Sequence, residues 1–385
     1  MKNFEVFFIK NLINEKGGLG RVGELLKEKG ISSTLIVTDN GIVKAGIVER
    51  LTDSLRNSEI RYSIFADVIP DPPESLVFKG KEIFKENNLE SVIGIGGGSS
   101  MDTAKVISLI SKTNVNLDEI YGINFTKGER VPLILIPTTT GTGSEVTPFA
   151  VLTKGESKCT VISPVIIPDI ALLDSELTYN LPPSIIAATG MDAMVHAIEA
   201  FTTRNKKNII SDTLAKEALK LLVNNIKNAV INSDDYDAKS NMLVGASVAG
   251  LAFSNAPVAA IHAFAYPLGG IFHIPHGLSN ALMMIEVMKF NMDVAVDDYF
   301  ELATAVYPDF HKSEKSKYEI VKEFIEKLAI LKDEIGIPNR LSDVGIKEGD
   351  LKKLTDEVVK LTRLFNNNPK DIDYDNAFKI YKNTL

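Results

Sequence analysis

With 385 residues, a net charge of −8, and 45% hydrophobic and 24% charged residues, the chain excludes disorder by composition and a single core by length, so two lobes with a cleft are expected. Its basic residues are scattered rather than gathered into a stripe, which excludes nucleic acid as a partner. The single Cys159 excludes an intrachain disulfide framework, and charges interrupt the apolar start "MKNFEVFFIKNLIN", so no secretory signal is expected and the cytoplasm is the expected compartment.

Residues 17–29 carry apolar positions at helical spacing, and the run "TLIVTD" that follows reads as a strand ending at Asp39. The alternation then repeats. A helix over 43–57 precedes "RYSIFAD", ending at Asp67; a helix over 75–87 precedes "SVIGIG", ending at Gly96; a helix over 99–111 precedes "VPLILIP", ending at Pro137. Such repeats predict a mostly parallel sheet with right-handed crossovers and ligands beyond the carboxyl ends of its strands. Residues 148–173 mix β-branched residues with turns and predict a hairpin and an edge strand. From "LPPSIIAATG" onward the pattern is helical, with Pro182 and Pro183 suited to opening the first helix. The organisation expected is a Rossmann-like dinucleotide-binding α/β domain over 1–178 and an all-helical metal and substrate domain over 179–385.

From Ser240 to Ile285 there is no Asp, Glu, Lys or Arg, yet Pro257, Pro267, Pro275 and five glycines break the stretch into pieces shorter than a membrane span. Core helices packed around a site are the better reading, because a buried charge without a partner would cost several kcal/mol there. The same lack of Arg and Lys suits a small neutral substrate, since a phosphorylated one would want basic donors. Arg204, Lys206 and Lys207 are the basic residues that could approach from elsewhere.

Within the helical half, Asp192 and His196 stand four apart in "AATGMDAMVHAIEAF", so both side chains leave one helical face. Three of the five histidines, His262, His273 and His276, fall within fifteen residues. Taken singly, each reads as a hydrogen-bonded core histidine. Taken together, one carboxylate and three imidazoles, from Asp192, His196, His262 and His276, make a mononuclear divalent-metal site.

In the α/β half, "GIGGGSSMD" follows a strand and opens a helix, where Gly96, Gly97, Gly98 and Ser99 would let a backbone approach a pyrophosphate. It departs from G-x-G-x-x-G at Ser99, and Ser99 to Asp102 also has capping-box spacing, so Asp102 serves either the helix or a ligand. Asp39 ends a strand and either accepts adenosine ribose hydroxyls, favouring NAD over NADP, or belongs to a "DNG" turn. "PTTTGTGSE" supplies the hydroxyls of Thr138, Thr139, Thr142 and Ser144 beyond a third strand.

These residues resemble the iron-containing, group III alcohol dehydrogenases over nearly the whole chain: the Asp192, His196, His262 and His276 spacing, "GGGSSMD", "PTTTGTGSE" and "IHAFAYPLGGIFHIPHG" all match the family's pattern. The resemblance implies a dehydroquinate-synthase-like fold, an oxidoreductase activity on small alcohols, Fe²⁺ with Zn²⁺ as a substitute, and NAD in preference to NADP. It also implies that Lys158 lies near the nicotinamide ribose. The chain departs from the family at Tyr266, where many members have a second histidine, and at His273, where Asn or Asp is frequent; Tyr266 and His273 are the candidates for passing a proton to solvent. The expected reaction interconverts a small primary alcohol or diol and its aldehyde by hydride transfer, in a homo-oligomer of two or more chains. Two alternatives stay open: a sugar-phosphate dehydrogenase or dehydroquinate-synthase-like lyase, and a non-catalytic nucleotide- or metal-binding protein.

Overall fold

A computed structural model describes residues 3–113, 115–123, 128–155 and 157–385, which divide into two compact units: Phe7–Asn180, and Leu181–Leu385 together with the residues up to Val6.

The first unit contains strands β1 (Asn11–Asn14), β2 (Ser33–Asp39), β3 (Arg61–Val68), β4 (Ser91–Gly96), β5 (Gly122–Ile123), β6 (Leu133–Pro137), β7 (Phe149–Lys154), β8 (Ser157–Ile162) and β9 (Ile170–Leu173). Its helices are α1 (Val22–Glu28), α2 (Asn40–Lys44), α3 (Ile47–Asn57), α4 (Glu74–Glu86), α5 (Gly98–Lys112) and α6 (Leu117–Ile120). Six strands form a parallel sheet in the order β1-β9-β6-β4-β2-β3. Because successive side chains point to opposite faces, Ile36, Ile93, Ile95, Ile134 and Ile136 pack with residues of α1 and α3, whereas Leu35, Val37, Val92, Leu133 and Leu135 pack with those of α4 and α5. A sheet covered on both faces reads as continuous apolar runs, which is how these strands look in the sequence.

The chain leaves β2 outward to β3 and returns to β4 on the other side of β2. That reversal makes the carboxyl ends of β2 and β4 a topological switch point, the place where open parallel sheets bind ligands. Asp39 and Gly96 end those two strands.

Residues 148–173 differ from expectation in one respect. The hairpin forms, with β7 antiparallel to β8, but it belongs to a separate three-stranded sheet in the order β5-β8-β7. The strand after it, β9, is not at an edge; it lies between β1 and β6. The edge on that side is β1, whose sequence "NLIN" has only Ile13 half-buried and so carries no apolar run to announce a strand.

In the second unit all described elements are helical: α7 (Pro183–Thr202), α8 (Ile209–Ile231), α9 (Tyr236–Asn255), α10 (Ala260–Phe272), α11 (His276–Asn291), α12 (Val296–Val306), α13 (Lys317–Glu334), α14 (Leu351–Val358), α15 (Thr362–Phe365) and α16 (Tyr374–Thr384), with short 3₁₀ turns. Pro183 takes the first position of α7, where its missing N–H is no loss. From Met191 to Phe201 every residue of α7 is buried, so this helix runs through the core with α8, α9 and α11 packed on it. Among the described residues no single helix is long and apolar enough to cross a membrane; α9 and α10 pass only as a pair bent by 107°, and most of their apolar residues are buried in this core.

Candidate metal and coenzyme sites

On α7 the four-residue spacing puts Asp192 and His196 on one face, with Glu199 one turn further along it. His262 comes from α10 and His276 opens α11. One ligating atom each from Asp192, His196 and His262 lies within 4.8 Å of the others, and the three residues are only 2%, 5% and 3% exposed. His276 joins from the rim: its Nε2 is 3.6 Å from Asp192 Oδ1 and its ring is half-exposed, 5.4 Å centre to centre from His262. The first turn of α11 reaches α7 through Gly277, where any Cβ would strike the Ala188 carbonyl.

The donor set fits a divalent ion. His262 Nε2 is buried, has no hydrogen-bond partner and points toward Asp192, 3.9 Å from Oδ1. A desolvated ring nitrogen of that kind is costly unless something occupies the space, and three imidazoles with one carboxylate suit Fe²⁺, Zn²⁺ or Mn²⁺. Burial by itself would raise the Asp192 carboxyl, but His196, His276, His262 and the Asn280 amide together outweigh it and hold the group below its ordinary value. His196 is clamped by ring stacking, 4.3 Å from Phe253 and 4.8 Å from His262.

Two supporting residues are absent from the sequence-based set. Glu199 bonds His262 Nδ1 at 2.7 Å, and Asn280 Nδ2 donates to Asp192 Oδ1 at 2.6 Å while lying 3.2 Å from His276 Nε2. A signal existed for Glu199: it is an acid in a run of otherwise apolar residues, three after His196 and seven after Asp192, hence on the ligand face. Asn280 stands four after His276 on α11, and only the burial of that helix marks it.

Tyr266, one turn after His262 on α10, has its ring 6.0 Å from that of His276, and burial raises its phenol above the usual value. His273 ends α10 in the left-handed region at φ 57° and is solvent-exposed.

On the sheet unit, the three expected elements do meet. Thr138 N–H donates to the Gly96 carbonyl at 3.0 Å, and a Cβ added at Gly97 would lie 3.7 Å from Thr139, one at Gly98 2.9 Å from Thr142. Gly96 itself has φ 145°, and a Cβ there would stand 2.7 Å from Ser100 Oγ and 3.3 Å from Asp39 Oδ2. The cradle is therefore bare backbone walled by threonines. The first turn of α5, capped by Gly97 without any side-chain acceptor, adds amide groups suited to an anion.

Asp39 fills the turn role: Oδ1 accepts from the Gly41 and Ile42 amides at 2.8 and 3.2 Å and caps α2, while Oδ2 accepts from Ser100 Oγ at 3.3 Å. The capping-box alternative for Ser99 and Asp102 does not form, because the helix is capped at Gly97 and begins at Gly98, two residues before a Ser99 cap would start it. Instead Asp102 Oδ1 accepts from Ser144 Oγ at 2.6 Å and Oδ2 from the Val151 amide at 2.9 Å; burial raises its carboxyl. Lys158, on β8, pairs with Asp71 at 2.8 Å and is 40% exposed.

Beneath this cradle lies Lys105, which no motif in the sequence marks. It is fully buried and donates to Ser144 Oγ, Thr147 Oγ1 and the Phe149 carbonyl at 2.9, 3.1 and 2.6 Å. Desolvation lowers its ammonium to about 8 against the opposing pull of Asp102 and Glu145. Lys105 and Asp102 together pin the segment after the threonines to α5.

Two family models cover almost the entire chain: iron-containing alcohol dehydrogenase over residues 10–175, and the C-terminal part of the Fe-containing alcohol dehydrogenase family over 186–385. Long-chain-alcohol dehydrogenase 1 of Geobacillus thermodenitrificans is 36% identical over 92% of this chain and 89% of its own length. The NAD-dependent methanol dehydrogenase of Bacillus methanolicus is 32% identical over 96% of this chain and 97% of its own. The crystal structure of a 1,3-propanediol oxidoreductase superposes with a TM-score of 0.95 at 29% identity, covering both chains completely. With the same α/β and helical halves, and a buried carboxylate–imidazole cluster in the second, the chain belongs to the iron-containing alcohol dehydrogenase family.

Proposed function

We propose that the protein interconverts small uncharged primary alcohols or diols and their aldehydes, using NAD in preference to NADP, at an Fe²⁺ or Zn²⁺ ion held by Asp192, His196, His262 and His276. The observation that carries the metal reading is the buried, unpartnered Nε2 of His262 facing a carboxylate. The ion would supply Lewis acidity to the alcohol oxygen, and the nicotinamide ring would take the hydride.

The chain's own residues supply position and environment. Asp192, held in one orientation by Asn280, and the stacked His196 keep the ligand geometry formed in advance. The half-exposed His276 marks the side open to substrate. The uncharged stretch 240–285 lines this unit with apolar helices that exclude water. Gly96, Gly97, Gly98 and Ser99 with Thr138, Thr139 and Thr142 receive the coenzyme phosphates, with Asp102 acting through Ser144 and Lys158 near the ribose. Asp39, its Oδ1 already capping α2, offers Oδ2 to ribose hydroxyls and repels a 2′-phosphate. With its phenol raised, Tyr266 holds its proton and serves as donor and wall, and the exposed His273 stands where a proton could be passed on to solvent. The exposed edge strand β1, with Leu12 on it and Phe8 just before it, favours assembly into a dimer or larger homo-oligomer.

The relatives' names favour simple alcohols and diols. The deciding experiment is a 340 nm assay of protein reconstituted anaerobically with Fe²⁺ or Zn²⁺, across primary alcohols, diols and aldehydes with both coenzymes. NADH formation that needs the ion is expected; a fully metallated protein inert toward every substrate would overturn the proposal.

A further inference from the structure

We infer that Glu199 is a positioning residue for the metal, holding His262 as the Nδ1–H tautomer so that the Nε2 lone pair faces Asp192 and the ion. The inference rests on the metal reading above and assigns a role to a residue outside the ligand set. Glu199 is 2% exposed, and three donors converge on it from sixty residues further along the chain. Oε2 accepts from the Ala259 amide at 2.9 Å and meets His262 Nδ1 at 2.7 Å; Oε1 accepts from the Ile261 amide at 2.5 Å. With both oxygens facing N–H groups, the carboxylate is an acceptor only, so Nδ1 must bring the hydrogen. A neutral imidazole then carries its lone pair on Nε2. That is the atom found buried without a partner, 3.9 Å from Asp192 Oδ1.

The competing account is that Glu199 merely caps α10, whose N-terminus has no side-chain cap from its own sequence neighbours. A cap needs the two amides and nothing more. The Nδ1 contact is what a cap leaves unexplained, and it links the orientation of the ligand to the start of the helix that carries it.

Glu199→Gln separates the two accounts. The amide keeps the shape but offers one acceptor, so whichever way it turns at least one of its three contacts becomes donor against donor. The metal-free variant is expected to keep the wild-type circular dichroism. Its Zn²⁺ affinity, measured by chelator competition, should fall roughly 10- to 100-fold, with the visible spectrum of the Co²⁺ form changed. Wild-type Zn²⁺ affinity together with a wild-type Co²⁺ spectrum overturns the role of Glu199 and leaves the metal reading standing. Wild-type protein that binds neither ion, or Asp192→Ala binding both as well as wild type, overturns the metal reading itself. Should Glu199→Gln fail to fold, ¹⁵N spectra of the metal-free wild type decide, since the chain has only five histidines. Protonated Nδ1 with bare Nε2 at His262 supports the inference, and the reverse tautomer overturns it.

Discussion

In the helical unit the ligand would be met by side chains, Asp192, His196, His262 and His276, each oriented by another side chain: Asn280, Phe253 or Glu199. In the sheet unit the ligand would be met by backbone, with Gly96, Gly97 and Gly98 exposing peptide groups and the side chains of Lys105 and Asp102 working underneath. The contrast follows from the targets. A metal ion needs a few strong donors at fixed angles, whereas a pyrophosphate needs many weak donors at close approach. Damage should therefore run in opposite directions: removal of atoms harms the first site, addition of atoms harms the second.

The largest effect is expected for His262→Ala, which should empty the metal site and lower turnover by about 10³-fold or more, several kcal/mol of lost Lewis-acid stabilisation. Metal analysis beside the 340 nm rate checks it, and full metal content with full activity would strike His262 from the ligands. Lys105→Met should cost about 3 to 5 kcal/mol of stability, because Asp102 and Glu145 lose the buried cation between them. Its pH dependence has a defined sign. Desolvation holds Lys105 at about 8, below its unfolded value, so the unfolded chain binds more protons above that pH. The stability of wild type relative to Lys105→Met should rise from about pH 8 to about pH 10, where the unfolded lysine also titrates. Denaturant melts of both proteins across that range would show a flat difference if burial did not lower the Lys105 ammonium below its unfolded value.

Gly96→Ala adds one methyl at φ 145° against Ser100 and should cost about 2 kcal/mol while raising the KM for NAD. An unaltered KM would mean that the loop does not meet the coenzyme. Asp39→Gly should shift preference toward NADP by roughly 1 to 2 kcal/mol, as removal of a repelling charge predicts. Glycine also caps helices acceptably, so stability should change by only a few tenths of a kcal/mol and the two roles of Asp39 separate. The smallest effect is expected for Tyr266→Phe: less than about tenfold in kcat if the phenol is one of several routes for the proton. A wild-type pH–rate profile would leave Tyr266 as a wall.

Much of this was legible in the residues. Strand runs such as "SVIGIG" are buried on both faces and look it, and histidine is rare enough here that three within fifteen residues stand out. Spacing leaves Asp102 open between helix cap and ligand because it cannot say where a helix begins; α5 starts at Gly98, and the carboxylate turns to Ser144 and Val151. Strand β1 escaped notice because a four-residue strand with one half-buried side chain has no periodic signal.

The sequence by itself determined the chemical types present, the parallel α/β order followed by helices, and the placing of Asp192 and His196 on one face of α7, because local period and residue chemistry are properties of neighbours in the chain. Only the tertiary structure decided that Glu199 takes its three donors sixty residues away, that Lys105 is buried beneath the threonine loop, and that β9 lies inside the sheet. Hydrogen-bond partners and burial depend on which distant segments come into contact, and no local pattern records that.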